Sequence, residues 1–269
     1  MATGLVPDDL WDRVAPLLPA RPPRRARYPG RLPADDRAAL RGIVYVLCKG
    51  VSWRDVPAEQ VGCSGVTSWR RSRDWTAAGI WPRRHEVLLA ELRAAGLLDM
   101  DDAAVDGSHV RALKGGAHTG PSPVGRARPG SRHHLIVDRH GIPPAISLTG
   151  VNRHDVTQLM PLLDAIPRTR GVRGRPRHRP ARLFADRGYD YDCYRRPLRA
   201  RGITPKTARK GTAHGPGLGQ TRWLVEPTFV WLHEFKRLRI RYEICANLHL
   251  GQLQLACSII CLRRLRTSF

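Results

Sequence analysis

Acidic residues are scarce in this chain: 23 Asp and Glu stand against 46 Lys and Arg in 269 residues, a formal charge of +23. The excess is spread along the chain and not confined to a tail. A surface this basic gathers polyanions by releasing their counterions, so nucleic acid is the default partner. Six cysteines (Cys48, Cys63, Cys193, Cys245, Cys257, Cys261) include no Cys-x-x-Cys pair, and no His-x-x-x-His spacing occurs, so neither half of a zinc site is present. No basic start followed by an apolar run marks a secretory signal, and reduced, mostly buried thiols in a cytoplasmic protein are expected. The longest apolar stretches, "GIVYVLC" and "LACSIICL", fall well short of the roughly 20 residues of a membrane span. "GTAHGPGLGQ" lacks the Gly-Lys-Ser/Thr of a nucleotide-binding loop, and Ser108 lacks a G-x-S-x-G elbow, which removes ATP and serine nucleophile readings.

What is present divides by texture near Gly96. Residues 1–96 read as helices: Asp8 to Pro19 with Leu10, Trp11, Val14, Leu17 and Leu18 on one face, then a helix opened by Asp35 and Asp36. A short helix near Trp53 to Gln60, a Gly-Cys-Ser-Gly turn and a helix from Val66 to Ala78 form a candidate helix-turn-helix. The second of these carries Arg70, Arg71 and Arg73 beside Trp69 and Trp75, the make-up of a major-groove recognition helix. Residues 97–269 read as strands alternating with helices: "AAVDGSHVRAL", then "RHHLIVD" and "PPAISLTG" as a hairpin, a helix capped by Asp155, the strand "RLFAD", a helix, the strand "ITPKT", and a long helical region. That order predicts an α/β fold, a mixed sheet flanked by helices, preceded by a helical DNA-binding domain.

Three acids occupy unusual places. Asp106 lies inside the first strand, Asp186 ends "RLFAD", and Glu226 opens a helix at "RWLVEPTF". If the first and fourth strands are neighbours, the two aspartates stand side by side, and a helix crossing the sheet can bring in the glutamate. Oxygen donors of this kind suit Mg²⁺, and a pair of such ions suits phosphodiester chemistry. Other acids have plainer readings: Asp101 and Asp102 in a solvated turn, Asp138 at a hairpin end, Asp190 and Asp192 as helix caps. His109, His133 and His134 read as strand or surface histidines.

Five blocks in order resemble the DDE transposases of bacterial insertion sequences, in the branch called insertion sequence five. They are "GVSWRDVPAEQVG" with "SWRRSRDWTAAGIW", "VDGSHVRA", "RPGSRHHLIVDRHGIPPAISLTGVNRHDVTQLMPLLDAIP", "LFADRGYDYDCYRRPLRARGITP" and "GQTRWLVEPTFVWLHEFKRLRIRY". The resemblance implies an RNase H-like core in which Asp106, Asp186 and Glu226 hold two Mg²⁺, with Mn²⁺ able to substitute. It implies binding of the element's terminal inverted repeats, cleavage of double-stranded DNA and transfer of the freed strand to target DNA by a homodimer or higher assembly. Arg222, four residues before Glu226, matches the family's Arg-x-x-x-Glu, and Lys236 and Arg237 match its basic pair; all three are expected to hold phosphates. Pro227 replaces an arginine usual in the family. It favours an alternative, a catalytically impaired derivative that acts as a DNA-binding regulator, beside a third reading, a nuclease without strand transfer.

Overall fold

The computed structural model describes residues 3–21, 26–27, 32–169, 178–209, 211 and 224–267. Five helices come first: α1 (Asp8–Val14), α2 (Asp36–Lys49), α3 (Ala58–Val61), α4 (Gly65–Ala77) and α5 (Ile80–Ala94). Two of them, α2 and α4, start on side-chain caps that satisfy orphan N–H groups. The Asp35 carboxylate accepts from the Ala38 amide at 2.8 Å, and the Ser64 hydroxyl from the Thr67 amide at 3.3 Å. The helix expected over Trp53 to Gln60 is instead a 3-10 turn, Trp53–Asp55, and the single turn of α3. Pro57 causes the break, because it pushes Val56 out of helical geometry; Val56 has φ −69° and ψ 122°. Gly65 is needed where α4 crosses that turn: a Cβ there would stand 1.7 Å from the Trp53 carbonyl oxygen.

The sheet is built from β1 (Asp102–Ala112), β2 (Gly120–Pro121), β3 (Pro129–Asp138), β4 (Ala145–Gly150), β5 (Arg182–Ala185), β6 (Thr204–Thr207) and β7 (Ile240–Arg241). Its spine runs β4-β3-β1-β5-β6, with β3 antiparallel to both neighbours and β1, β5 and β6 parallel. One reversed strand beside a parallel set, in this order, is the RNase H-like arrangement. Between β4 and β5 the expected helix is a 3-10 turn, Asp155–Gln158, followed by α6 (Leu159–Asp164); α7 (Asp192–Ala200) joins β5 to β6. The long helical region resolves into α8 (Val225–Glu234), a 3-10 turn, β7 and α9 (Ala246–Arg266). β7 was not foreseen. It pairs Ile240 and Arg241 with Arg111 and Ala112 of β1.

One apolar core runs through both halves of the chain, from Val6 to Leu265, without a break at residue 96. Leu88, Leu89 and Leu92 of α5 share it with Leu253, Ala256 and Ile260 of α9, and with Val105 and Ile136 of the sheet. α9 is buried on almost every face, as its stretch rich in Leu, Ala, Cys and Ile requires. Of the cysteines, Cys63, Cys257 and Cys261 are buried, Cys48 half-buried, and Cys193 and Cys245 exposed; all are free thiols.

Candidate active site

β1 and β5 fix the first two acids. Their parallel register sets Asp102 opposite Arg182, Ala103 opposite Leu183 and Ala104 opposite Phe184. Two residues further along come Asp106, still inside β1, and Asp186, one residue past the end of β5, so continuing the register brings the two aspartates to neighbouring positions. β5 ends at Ala185 while β1 runs on to Ala112, so the two aspartates stand at the carboxyl end of the parallel strands. Both aspartates are half-buried. Asp186 accepts from the Gly188 amide at 2.8 Å and caps the 3-10 turn Arg187–Tyr189. The aspartate that closes "RLFAD" thus meets partial solvent and a backbone donor, not a dry core.

Tyr189, three residues past Asp186, is 2% exposed, and its hydroxyl has no hydrogen-bond partner. Burial foremost, then the negative fields of Asp155, Asp106 and Asp186, push its phenol far above the ordinary range. Asp155 therefore belongs to the neighbourhood of the two strand aspartates, and its reading as a helix cap is corrected: it makes no cap bond. Its carboxylate instead takes Arg132 at 2.6 Å, with the His134 ring at 3.6 Å. It lies so close over Gly107 that a Cβ there would stand 2.8 Å from its Oδ1. A glycine directly after Asp106 was the available signal for this crowding.

Glu226 occupies the first turn of α8, which lies against β1 and β3, and it is exposed. Thr228 pins that helix by donating to the Gly141 carbonyl at 2.7 Å. Pro227 is the third residue of the helix, where its missing N–H costs no intrahelical bond, so Glu226 keeps helical geometry. Among the described residues, no group of three or more His, Cys, Asp or Glu side chains closes around a point that could hold a metal ion. Asp106 and Asp186 come to neighbouring positions; Glu226 is not drawn onto them. The donor set still suits a hard cation, since these are carboxylates left partly open to water. Arg222 lies outside the described residues.

The arginines expected to meet DNA divide. Arg70 is exposed on α4; Arg73, also exposed, pairs with Asp74 at 2.9 Å and lies over the Trp69 ring at 5.4 Å. Arg71 turns toward α2 and pairs with Asp36 at 3.0 Å. Lys236 is exposed, but Arg237 points inward, paired with Glu243 at 2.6 Å, donating to the Val51 carbonyl at 3.0 Å and stacked on Tyr242 at 4.4 Å. Burial works against the Glu243 carboxylate, yet its bonds to His249 and Arg237 bring it down to about 2.

Several plainer readings also change. Asp102 is buried and bridged by Arg182 at 2.5 Å and Arg139 at 3.2 Å, so it is no solvated turn residue. Asp190 holds Arg195 at 2.6 Å in a buried pair, and neither it nor Asp192 makes a cap bond to α7. His133 and His134 are fully buried: His133 meets His249 at 2.8 Å and His134 meets Thr149 at 2.7 Å. Asp138 does end a hairpin, where three backbone amides, of Asp99, His140 and Ile142, point at its carboxylate.

A family model described as transposase DDE domain matches residues 98–260, and a model of the IS4/5 transposase family matches residues 6–85. The chain is 56% identical over 148 residues to the transposase described for insertion sequence element IS402 of Burkholderia cepacia, a match covering 55% of this chain and 70% of the relative. It is 27% identical over 136 residues to the transposase for insertion sequence element IS1106 of Neisseria meningitidis serogroup B, covering 45% and 43%. The crystal structure of the Mos1 strand transfer complex aligns with 92% of this chain and 78% of that one at 11% identity, with a TM-score of 0.32. The block that holds Asp106, Asp186 and Glu226 is thus matched end to end, and the chain belongs to the DDE transposases of the IS4/5 family.

Proposed function

We propose that this transposase binds the terminal inverted repeats of its own insertion sequence, cuts DNA there with water as nucleophile, and joins the freed 3′-hydroxyl to target DNA. The observation that carries the reading is the parallel register of β1 with β5, whose continuation brings Asp106 and, one residue past the end of β5, Asp186 to neighbouring positions. Asp106, Asp186 and Glu226 would hold two Mg²⁺, with Mn²⁺ as a substitute. When bound, such ions lend Lewis acidity to the attacking and departing oxygens of a phosphodiester. The chain's own residues supply the rest. The strand pairing fixes the two aspartates, Tyr189 and Asp155 lie in their neighbourhood, and Arg70, Arg73, Lys236 and Arg222 hold DNA phosphates. A homodimer or higher assembly on paired ends follows from the joining of two ends.

The exposed position of Glu226 favours one rival, a DNA-binding regulator that occupies the repeats without cutting. A cleavage and joining assay on a fragment carrying the element's ends, with Mg²⁺, separates them. The parent is expected to give cut and joined products, while Asp186→Ala binds the ends equally well and gives none. Products from neither protein, with binding intact, would leave the regulator as the reading.

A further inference from the structure

The strand that carries Asp106 does not stop there. From Gly107 to Val137 the sequence contains no acidic residue, but it does contain Arg111, Lys114, Arg126, Arg128 and Arg132. Three of these meet: a cavity of about 350 Å³ is lined by His109 and Arg111 of β1 and by Ser122, Arg126 and Arg128 of the β2–β3 loop. All but Ser122 are exposed. Among the described residues, none of the three arginines forms an ion pair, whereas Arg132, Arg139, Arg182 and Arg195 each do. Ser122 is 3% exposed, and its hydroxyl has no hydrogen-bond partner.

The loop itself is held in an unfavourable shape. Arg126 and Ala127 have φ of 52° and 56°, two consecutive residues with side chains in the left-handed region, where glycine or asparagine would be easier. Three backbone bonds lock it: Ser122 N–H to Arg128 O at 3.0 Å, Ala127 N–H to Ser122 O at 3.2 Å, and Arg128 N–H to Gly125 O at 3.1 Å. Strain of this kind persists where it aims a side chain. Here it places Arg126 and Arg128 on the same cavity as Arg111, and at its tip leaves Val124 86% exposed.

We infer that this cavity is a seat for a phosphate of the DNA backbone, separate from the recognition helix and from the acid site. Three unpaired guanidinium groups, an imidazole and an unpartnered hydroxyl match the oxygens of a phosphodiester. The seat lies beyond the acid site on the same strand. Arg111 follows Asp106 by five residues, roughly 17 Å at about 3.3 Å per residue, and the odd interval turns the two side chains to opposite faces of the sheet. The seat would thus take a stretch of DNA that passes the end of β1 and not the segment at the aspartates, an assignment that rests on the transposase reading above.

The test uses the full chain and a labelled 30-base-pair duplex, with affinity followed by fluorescence anisotropy between about 50 and 200 mM salt. Arg126→Ala/Arg128→Ala is compared with the parent and with Arg196→Ala/Arg199→Ala, two exposed arginines of α7 that remove the same charge elsewhere. The loop variant is expected to lose roughly tenfold or more in affinity and to flatten the salt slope by about 1 to 2, against about half that or less for the α7 control. Arg126→Gly adds a second readout: easing the backbone should leave the melting temperature equal or higher while affinity falls. Equal losses in loop and control variants, or unchanged binding in Arg126→Gly, would overturn the seat alone. A parent that binds no duplex would overturn both the seat and the DNA-binding reading, and a parent that binds but never cuts leaves the seat supported.

Discussion

Lowering the pH should unfold this protein through histidines that the fold keeps neutral. His85 on α5 is enclosed, and burial first, then the charge of the adjacent Arg84, press its pKa from the ordinary 6.5 down to about 4 against an opposing bond to the Pro143 carbonyl. His134 is pressed to about 4 as well, again chiefly by burial. Because the folded value lies below the unfolded one, each ring's contribution is fully present above pH 6.5 and is lost as the pH falls toward 4. At pH 5 the linkage relation gives a loss of about 2 kcal/mol per ring. Asp138 acts in the opposite sense: burial raises its carboxyl to about 6, so its protonation returns about 1.4 kcal/mol by pH 5. His133 and His249 are lowered too and add to the loss. The net expectation is at least about 2 to 3 kcal/mol less stability at pH 5 than at pH 7.5, read from urea unfolding at a series of pH values. His85→Gln should remove about 2 kcal/mol of that difference. Stability that is flat or rises on acidification, or an unchanged slope in His85→Gln, refutes the reasoning.

Three further outcomes follow from single side chains. Arg84 is fully buried with no hydrogen-bond partner on any of its three guanidinium nitrogens, and burial lowers it to about 10, so Arg84→Met should stabilise by about 1 to 4 kcal/mol; a lower urea midpoint would contradict this. Gly65→Ala drives a Cβ into the Trp53 carbonyl and should cost about 1 to 3 kcal/mol while weakening duplex binding, as thermal melting and anisotropy would show. Pro227→Arg is expected to leave melting unchanged within about 1 kcal/mol and to raise cleavage; a variant no more active than the parent shows that the proline is harmless in the first helical turn.

The sequence disclosed what neighbours along the chain decide. Asp35 announced a helix start because a cap acts within three residues, and Asp106 and Asp186 stood out because a carboxylate in an apolar strand demands a reason. Partners from distant segments stayed hidden. Asp155 looked like a cap because Arg132, its actual partner, comes 23 residues earlier on another strand. Asp102 looked solvated because Arg182 follows it by 80 residues. Lys236 and Arg237 were indistinguishable as a basic pair, since only Glu243 and Val51 turn the second one inward. β7 is two residues long, too short for any alternation to show.

The unbroken core linking α5, α9 and the sheet has a geometric consequence for the reaction. If α4 holds the duplex as proposed, that duplex would be tied by packed side chains, not by a tether, to the strands that bear the aspartates. The spacing between the bases recognised and the bond cut is then a fixed property of the folded chain, like the jaws and blade of one tool, and an element's ends would have to keep that interval in base pairs to be processed.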